Sequence, residues 1–181
     1  IEDGLYKSIE VISLYGKKRK ISDDDIEGID IIIFDIQDVG VRFYTYLSTL
    51  HYAMEAASRS NKKIIILDRP NPNSFYIDGP VLEKENSSFI GLHPVPIVYG
   101  MTIGEYGKMI NEEGWLGEKM KADLEVIKIE NYTHNMRYDP PVRPSPNLPN
   151  LQSIYLYPSL AFLEKTEVSA VSYTHLTLPT T

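Results

Sequence analysis

The sequence predicts an α/β fold, a Rossmann-like layered domain with a mostly parallel sheet and the start of a truncated second region at the C-terminus. Short β-branched runs alternate with amphipathic stretches between residues 9 and 129, the order expected of a sheet covered by helices. Two of these runs, at 31–36 and 64–67, are nearly all apolar, as strands of parallel sheets are. About thirty residues separate their starts, which is the usual size of a β-α-β unit.

The first half of the chain supplies four predicted elements. Residues 9–16 form a short strand, and residues 23–27 form a short helix, because Ser22 and Asp25 have the spacing of a capping box. Residues 31–36 form the main strand, which is expected to be buried on both faces. An apolar stripe with the spacing of one helix face predicts the helix that follows. The stripe consists of Phe43, Leu47, Leu50, Met54 and Ala57.

Prolines and glycines divide the second half. The strand at 64–67 ends at Asp68-Arg69-Pro70-Asn71-Pro72, because two prolines prevent further ladder pairing. The loop at 69–93 has no clear periodicity, and a loop of this length inside a compact fold is more often functional than idle. The remaining elements are a short strand at 96–100, a helix capped by a Thr102–Glu105 capping box, and a strand at 124–129.

The composition changes after residue 129. Residues 139–149 contain five prolines, which favours an extended, polyproline-like path that drapes over a domain or links to another. In the apolar stretch at 151–163, the Tyr157-Pro158 step is expected to limit a helix to one side of that bond. We therefore divide the chain into a Rossmann-like domain at 1–130, a Pro-rich connection with the start of a truncated C-terminal region at 131–169, and a non-native tail at 170–181, which continues no pattern.

Composition excludes several functional classes. The net charge of −7 argues against a nucleic-acid partner, and no apolar run approaches the roughly 18 residues that cross a bilayer. The chain has no cysteine, so disulfides and thiolate metal sites are excluded. The histidines lack ligand spacing, and neither G-x-G-x-x-G nor a P-loop follows a strand, so we expect no metal, no cofactor and no nucleotide site.

Charged residues follow both central strands. Asp35 and Asp38 come after the first strand, and Asp68 and Arg69 come after the second. Because ligands of parallel sheets bind outside the carboxyl ends of the strands, these four groups are expected to converge into a site. Closely packed carboxylates raise one another's pKa, which suits a general acid. The alternative is that Asp35 and Asp38 only cap the following helix.

Further polar residues are candidates for ligand contact. Arg42 and Arg69 are suited to grip a carboxylate, since a guanidinium matches it with two parallel hydrogen bonds; alternatively, Arg69 pairs with Asp35 or Asp38 and only holds the strand ends together. Tyr44 is a candidate for ligand contact. Asn71 and Asn147 lie among prolines, where a rigid backbone aims an amide at ligand hydroxyl groups or simply forms a turn.

Several motifs of the chain resemble the YbbC/NamZ family, also described as domain of unknown function 1343. The matching stretches are Ser13-Leu14-Tyr15-Gly16, residues 34–46 (FDIQDVGVRFYTY), Asp68-Arg69-Pro70-Asn71-Pro72, Gly79-Pro80-Val81-Leu82, Gly100-Met101-Thr102-Ile103-Gly104-Glu105 and Pro144-Ser145-Pro146-Asn147-Leu148-Pro149. The resemblance covers residues 9–168.

The resemblance implies an exo-β-N-acetylmuramidase, a glycoside hydrolase that releases N-acetylmuramic acid from non-reducing ends of peptidoglycan fragments, in the cell envelope. For such a hydrolysis, which needs an acid and a second carboxylate, Asp35, Asp38 and Asp68 are the candidates in this chain. The resemblance implies a muramic acid substrate, whose lactyl carboxylate suits Arg42 or Arg69. Relatives carry an upstream G-P-E-H-G segment and a further C-terminal motif that this chain lacks, so we expect an internal fragment with an incomplete site. The alternative function is a non-catalytic sugar-binding or envelope-assembly module.

Overall fold

A three-stranded parallel sheet forms the centre of the protein. The structure, a computed structural model, describes residues 9–16, 18–117, 119–166, 169–171 and 175–177. The strands β1 (Ile31–Phe34), β2 (Lys63–Leu67) and β3 (Asp123–Ile127) lie side by side in the order β1-β2-β3. Both pairings are parallel, with Phe34 opposite Ile66 and Ile66 opposite Val126. The predicted α/β class with a parallel sheet is confirmed.

The described residues form three α-helices beside the sheet. They are α1 (Tyr46–Arg59), α2 (Ile103–Glu112) and α3 (Leu151–Leu160). Short 3-10 helices lie at Asp24–Ile26, Lys84–Asn86 and Ala161–Lys165. A short antiparallel pair, β4 (Ser169–Val171) and β5 (His175–Thr177), follows. The remainder of the predicted non-native tail, residues 172–174 and 178–181, lies outside the described residues, and its origin stays a prediction, as does the division of the chain into domains.

The main core lies on one face of the sheet. Alternate strand residues, among them Phe34, Ile64 and Ile66, are buried against α1 and α2, because the side chains of a strand alternate between its two faces. On the opposite face, Ile31 is 47% exposed and Ile33 is 62% exposed. The prediction that this strand is buried on both faces is therefore wrong for the described part of the chain, where both packed helices lie on one side.

Helix α2 begins with the predicted capping box. The Thr102 hydroxyl accepts a hydrogen bond from the Glu105 amide, and the Glu105 carboxylate accepts one from the Thr102 amide. Its glycines let it approach the sheet closely, since a Cβ on Gly104 would lie 2.6 Å from Cγ1 of Val126 and one on Gly107 would lie 2.4 Å from Cδ1 of Ile66. The capping prediction is confirmed.

Two predicted strands are absent. Residues 9–16 have no strand pairing, and residues 96–100 make only isolated bridges, from Val98 to Val41 and to Asp78. In residues 96–100, the apolar side chains pack inside the protein without forming a strand, because Val98 belongs to a small second core with Val41. Short apolar runs do not distinguish a strand from a buried loop.

Helix α3 continues through Pro158, against the prediction that this residue would end it. A proline lacks the N–H that would bond to the carbonyl four residues earlier, here Ile154. The side-chain amide of Asn73 donates a hydrogen bond to that carbonyl at 3.3 Å. Tertiary contact therefore supplies the donor that the helix lacks. Ile154 and Tyr157 also pack on Val39 in the second core, which holds α3 in place.

The Pro-rich segment lies over the domain, which is one of the two alternatives that the sequence predicts; the other is a link to a further domain. Leu148 is buried in the second core with Val39 and Val41, and the Tyr44 hydroxyl donates a hydrogen bond to the Pro144 carbonyl at 2.7 Å. Among the described helices, none is long and apolar enough to cross a membrane.

Candidate functional site

The ends of β1 and β2 bring charged residues to one edge of the sheet. The two strands are parallel neighbours, so Asp35 and Asp68 leave the sheet on the same side. The Arg69 guanidinium donates to Oδ1 of Asp35 from Nε at 2.7 Å and from Nη2 at 2.5 Å. The ion pair that the sequence left as one alternative is therefore present. Gln37 adds a second link, since its amide donates to the Pro70 carbonyl at 2.8 Å.

A cleft of about 320 Å³, which we call the arginine cleft, opens beside this pair. Its polar lining consists of Asp35, Gln37, Tyr46, Arg69, Tyr138 and Arg143, and the Pro-rich segment forms its other wall through residues 140–144. Arg143 is exposed, and its guanidinium has no carboxylate or hydrogen-bond partner among the residues that the structure describes. The cleft thus combines one neutralised arginine with one that remains available to an anion.

A second cavity at the same edge, of about 260 Å³, contains Asp68 and is called the acid cavity here. Asp68 accepts hydrogen bonds from the Thr102 hydroxyl and the Gly104 amide, both at 2.8 Å. Glu105 accepts from the Thr102 amide at 2.9 Å and pairs with Nε2 of His134 at 2.8 Å. Because Thr102 bonds to both carboxylates, Asp68 and Glu105 lie on either side of one residue.

The two carboxylates of the acid cavity are tuned in opposite directions. Burial raises the pKa of Asp68, and the nearby negative charge of Glu105 raises it further, against the hydrogen bonds from Gly104 and Thr102. Burial also acts to raise the pKa of Glu105, but hydrogen bonds from Thr102 and His134 outweigh it and leave that pKa lowered. Of these two carboxylates, Asp68 is therefore the one that holds a proton more readily.

Asp38 lies beneath the site, not in either cavity. It is 4% exposed and accepts hydrogen bonds from the Gly40 amide at 2.6 Å and from the Tyr99 hydroxyl. Its Oδ1 atom has no hydrogen-bond partner among the described residues. Burial raises the pKa of Asp38 to about 6, against the effect of these bonds. The structure therefore brings Asp35, Asp68 and Arg69 to the common edge but leaves Asp38 in the interior.

Two other candidate residues are held by backbone carbonyls. Arg42 is 8% exposed and donates from Nη1 to the carbonyls of Pro80, at 2.9 Å, and of Val95. It thereby ties the long loop to the domain. The Tyr44 hydroxyl donates a hydrogen bond to the Pro144 carbonyl. Burial raises the pKa of Tyr44, and the neighbouring Tyr46 and Asp38 raise it further.

The two candidate asparagines differ in burial. Asn71 is 2% exposed, donates to the Met101 carbonyl at 2.8 Å and accepts from the Asn73 amide at 2.8 Å. Gly40 packs against it so closely that a Cβ there would lie 2.2 Å from Oδ1 of Asn71. Asn147 is exposed on the Pro-rich segment. The ligand-contact roles predicted for both remain predictions.

Sequence reasoning missed several residues of the two cavities. In the sequence, Arg143 lies within the Pro-rich run at 139–149, Glu105 belongs to a helix cap, and His134 has no ligand spacing with another residue. Arg143 and His134 lie more than seventy and sixty residues from Arg69 and Asp68, so no local spacing joins them. One signal was available for Arg143, since proline-fixed backbone on both sides can aim a charged side chain. Among the described residues, no three His, Asp or Glu side chains are grouped to hold a metal ion.

The fold and its edge define an α/β protein that presents carboxylates and arginines in clefts beyond the carboxyl ends of parallel strands, the usual position of ligand sites in such sheets. Residues 3–152 match the family model described as exo-beta-N-acetylmuramidase NamZ, N-terminal. The chain belongs to this family.

Relatives with names and structures agree with that membership. The chain is 45% identical over 166 residues to the peptidoglycan beta-N-acetylmuramidase NamZ of Bacillus subtilis (strain 168), a match that covers 89% of this chain and 39% of that protein. It resembles the crystal structure of a DUF1343 family protein from Bacteroides fragilis NCTC 9343, with 50% identity, a TM-score of 0.80 and coverage of 82% of this chain and 42% of that one.

A second DUF1343 family structure from the same organism has 37% identity and a TM-score of 0.82, covering 88% of this chain and 43% of that one. The chain therefore spans about two fifths of the length of these relatives.

Proposed function

We propose that this chain is the N-terminal part of an exo-β-N-acetylmuramidase that releases N-acetylmuramic acid from non-reducing ends of peptidoglycan fragments in the cell envelope. Family membership supports the reaction class. The observation that carries the proposal is the arginine cleft, where an Asp35–Arg69 pair and the unpaired Arg143 line one cavity. A carboxylate-bearing sugar fits such a lining better than a neutral one.

Arg143 is the anchor that we propose for the lactyl carboxylate of muramic acid. Asp35 already neutralises Arg69, and Arg42 donates to two carbonyls. Arg143 alone of these three guanidinium groups has no partner in the described part of the chain. A guanidinium binds a carboxylate through two parallel charge-assisted hydrogen bonds, so Arg143 would distinguish muramic acid from N-acetylglucosamine, which has no carboxylate.

For the chemical step, we propose complementary roles for Asp68 and Asp35. Burial favours the protonated form of Asp68, which suits the acid that gives its proton to the leaving glycosidic oxygen. Asp35, which the Arg69 guanidinium holds in position at the cleft, would take the proton of the water that adds to the anomeric carbon. The bond between that carbon and the leaving oxygen breaks as the water oxygen bonds to the carbon.

The test uses the full-length parent protein with two chromogenic substrates, the β-glycosides of N-acetylmuramic acid and of N-acetylglucosamine. We expect release from the muramic acid glycoside and little from the other. Arg143→Gln should raise KM for the muramic acid glycoside at least tenfold, whereas Lys121→Gln, which removes an exposed cation outside both cavities, serves as the matched control. Failure to release the chromophore, together with no release from peptidoglycan fragments, contradicts the enzyme proposal. Saturable muramic acid binding without turnover would favour a sugar-binding module.

A further inference from the structure

A cavity of about 350 Å³ lies away from the sheet edge, between α1, the turn that follows α2, and the loop at 82–94. It shares no lining residue with the arginine cleft or the acid cavity. Its walls are apolar at Leu82, Leu92, Pro94 and Trp115, and polar at His51, Lys84 and Ser87. Its size falls in the range of small-molecule sites, which run from about 300 to 1,000 Å³ and combine apolar walls with a few polar groups.

A chain of hydrogen bonds ends at this cavity. The Tyr106 hydroxyl lies 3.0 Å from Nδ1 of His93, and Nε2 of His93 lies 3.0 Å from Nδ1 of His51. Tyr106 is 1% exposed and His93 is 3% exposed. The Trp115 ring stacks on the His93 ring, with 4.6 Å between centroids. Buried polar groups of this kind are fixed in place by their partners.

The available partners determine which group donates each hydrogen bond between Tyr106, His93 and His51. Within the described residues, the Tyr106 hydroxyl has no acceptor other than Nδ1 of His93, and leaving a buried donor unpaired is unfavourable. Tyr106 therefore donates to Nδ1. A neutral imidazole carries one hydrogen, so His93 carries it on Nε2 and donates to Nδ1 of His51.

His51 must then carry its own hydrogen on Nε2. Burial of both rings lowers the pKa of His51 and that of His93, the latter to about 3, so the neutral forms are the relevant ones at pH 7. Nε2 of His51 has no hydrogen-bond partner in the described part of the chain. The relay thus ends in a donor on a residue that lines the cavity.

Lys84 adds a positive charge at the same cavity. It lies in the exposed 3-10 segment Lys84–Asn86, and its ammonium group forms no ion pair with the described residues. A donor and a cation beside apolar walls suit a ligand with a negatively charged acceptor at one end and a hydrocarbon body at the other.

We propose that this cavity is a second binding site, for a small carboxylate with an apolar body. The carboxylate accepts a hydrogen bond from Nε2 of His51 and pairs with Lys84, and the body packs against Leu82, Leu92 and Trp115. This site is independent of the glycosidase proposal, because none of its residues takes part in either cavity at the sheet edge.

Trp115 provides a direct readout, since it is the single tryptophan of the sequence. The 181-residue chain is titrated with hexanoate, with hexan-1-ol as the neutral analogue and acetate as the anion without a body, while Trp115 emission is recorded. We expect saturable binding of hexanoate and at least tenfold weaker binding of the other two. Equal binding of hexan-1-ol would overturn the carboxylate assignment, and equal binding of acetate would overturn the apolar one.

Two variants test the polar end separately. His51→Leu and Lys84→Gln should each weaken hexanoate binding at least tenfold and leave hexan-1-ol binding unchanged, which also shows that the cavity is still formed. Lys128→Gln, which removes a cation from the acid cavity, is the matched control. Unchanged hexanoate binding in Lys84→Gln contradicts the proposal even if His51→Leu does not fold.

The proton order has its own test. Long-range ¹H–¹⁵N spectra of the chain labelled at histidine report which ring nitrogen carries hydrogen. Hydrogen on Nε2 of both His51 and His93 is expected, and hydrogen on Nδ1 of His51 would overturn the donor assignment.

Discussion

Arg69 donates from both Nε and Nη2 to a single oxygen of Asp35, at 2.7 and 2.5 Å. The pair joins the segments that leave two neighbouring parallel strands. The Asp35 side chain is 44% exposed and the Arg69 side chain is 40% exposed. Exposed ion pairs contribute only about 0–1 kcal/mol to stability. The pair therefore matters less for folding than for the electrostatics of the arginine cleft.

Asp35→Asn should separate stability from activity. We expect the free energy of unfolding to change by less than about 1 kcal/mol, while the full-length parent loses roughly 100-fold or more of its muramidase rate, the range typical of a lost acid–base group. Asp23→Asn is the matched control, because Asp23 forms an exposed pair with Arg59 away from the cleft. Equal rates for the two variants would contradict the role of Asp35.

Asp38 should make the protein less stable as the pH rises. Burial raises its pKa to about 6 in the folded state, against about 3.9 for an unfolded aspartate, so folding takes up a proton between these values. Stability contributed by this group is full below about pH 4, falls as the pH rises to about 6, and is constant above that. The loss is on the order of 3 kcal/mol.

Urea unfolding at pH 4.5 and pH 7 measures this effect. Asp38→Asn keeps an acceptor oxygen and removes only the contribution of Asp38, because Asp68, His51 and His93 have shifted pKa values in both proteins. The native protein should therefore lose stability relative to Asp38→Asn between pH 4.5 and pH 7. Relative to Asp30→Asn, an exposed control site, it should show no such loss, and the same pH dependence in Asp38→Asn as in the native protein would show that Asp38 does not contribute.

Glu105→Gln should lower the pKa of Asp68. The glutamine carbonyl can still accept from the Thr102 amide, so the helix cap is kept while the negative charge that raises the pKa of Asp68 is lost. Carboxyl ¹³C titration by NMR reports the change. Glu112→Gln, at the other end of the same helix, is the control, and a raised or unchanged Asp68 pKa would refute the expected coupling.

Gly104→Ala should destabilise the protein, although helix propensity alone predicts a gain of about 1 kcal/mol. A Cβ at this position would lie 2.7 Å from Cγ of Asp68 and 2.6 Å from Cγ1 of Val126, and overpacking of this kind costs about 1–3 kcal/mol. Thermal or urea unfolding measures the net effect. Gly91→Ala, whose Cβ would lie 3.4 Å from the flexible Arg42 side chain, should be milder, and a stabilised Gly104→Ala would show that the helix can move away from the sheet.

Local patterns predicted the elements whose signals are contained in their own residues. The strands β1 and β2, helix α1 and the Thr102–Glu105 cap belong to this group, because period, β-branching and capping chemistry act over a few positions. An ion pair of Arg69 with Asp35 or Asp38 was one of two alternatives for Arg69, and the pair forms with Asp35, since parallel neighbours end at one edge.

Where long-range contacts decide, the predictions failed. Pro158 stays inside α3 because Asn73, far away in the chain, supplies the missing hydrogen bond, and Ile33 is exposed because only one face of the sheet is covered by the described helices. Asp38, predicted to lie with the other acids, is enclosed beneath Tyr99.

By itself, the sequence determined the α/β class, the family and the pair of charged strand ends, since each is encoded by residues close together in the chain. Only the tertiary structure decided that Arg143 joins Arg69 in one cleft, that Glu105 and Asp68 share Thr102, and that Tyr106, His93 and His51 form a relay. The physical reason is that burial and hydrogen-bond partners depend on which distant segments pack together, and no single segment specifies its neighbours.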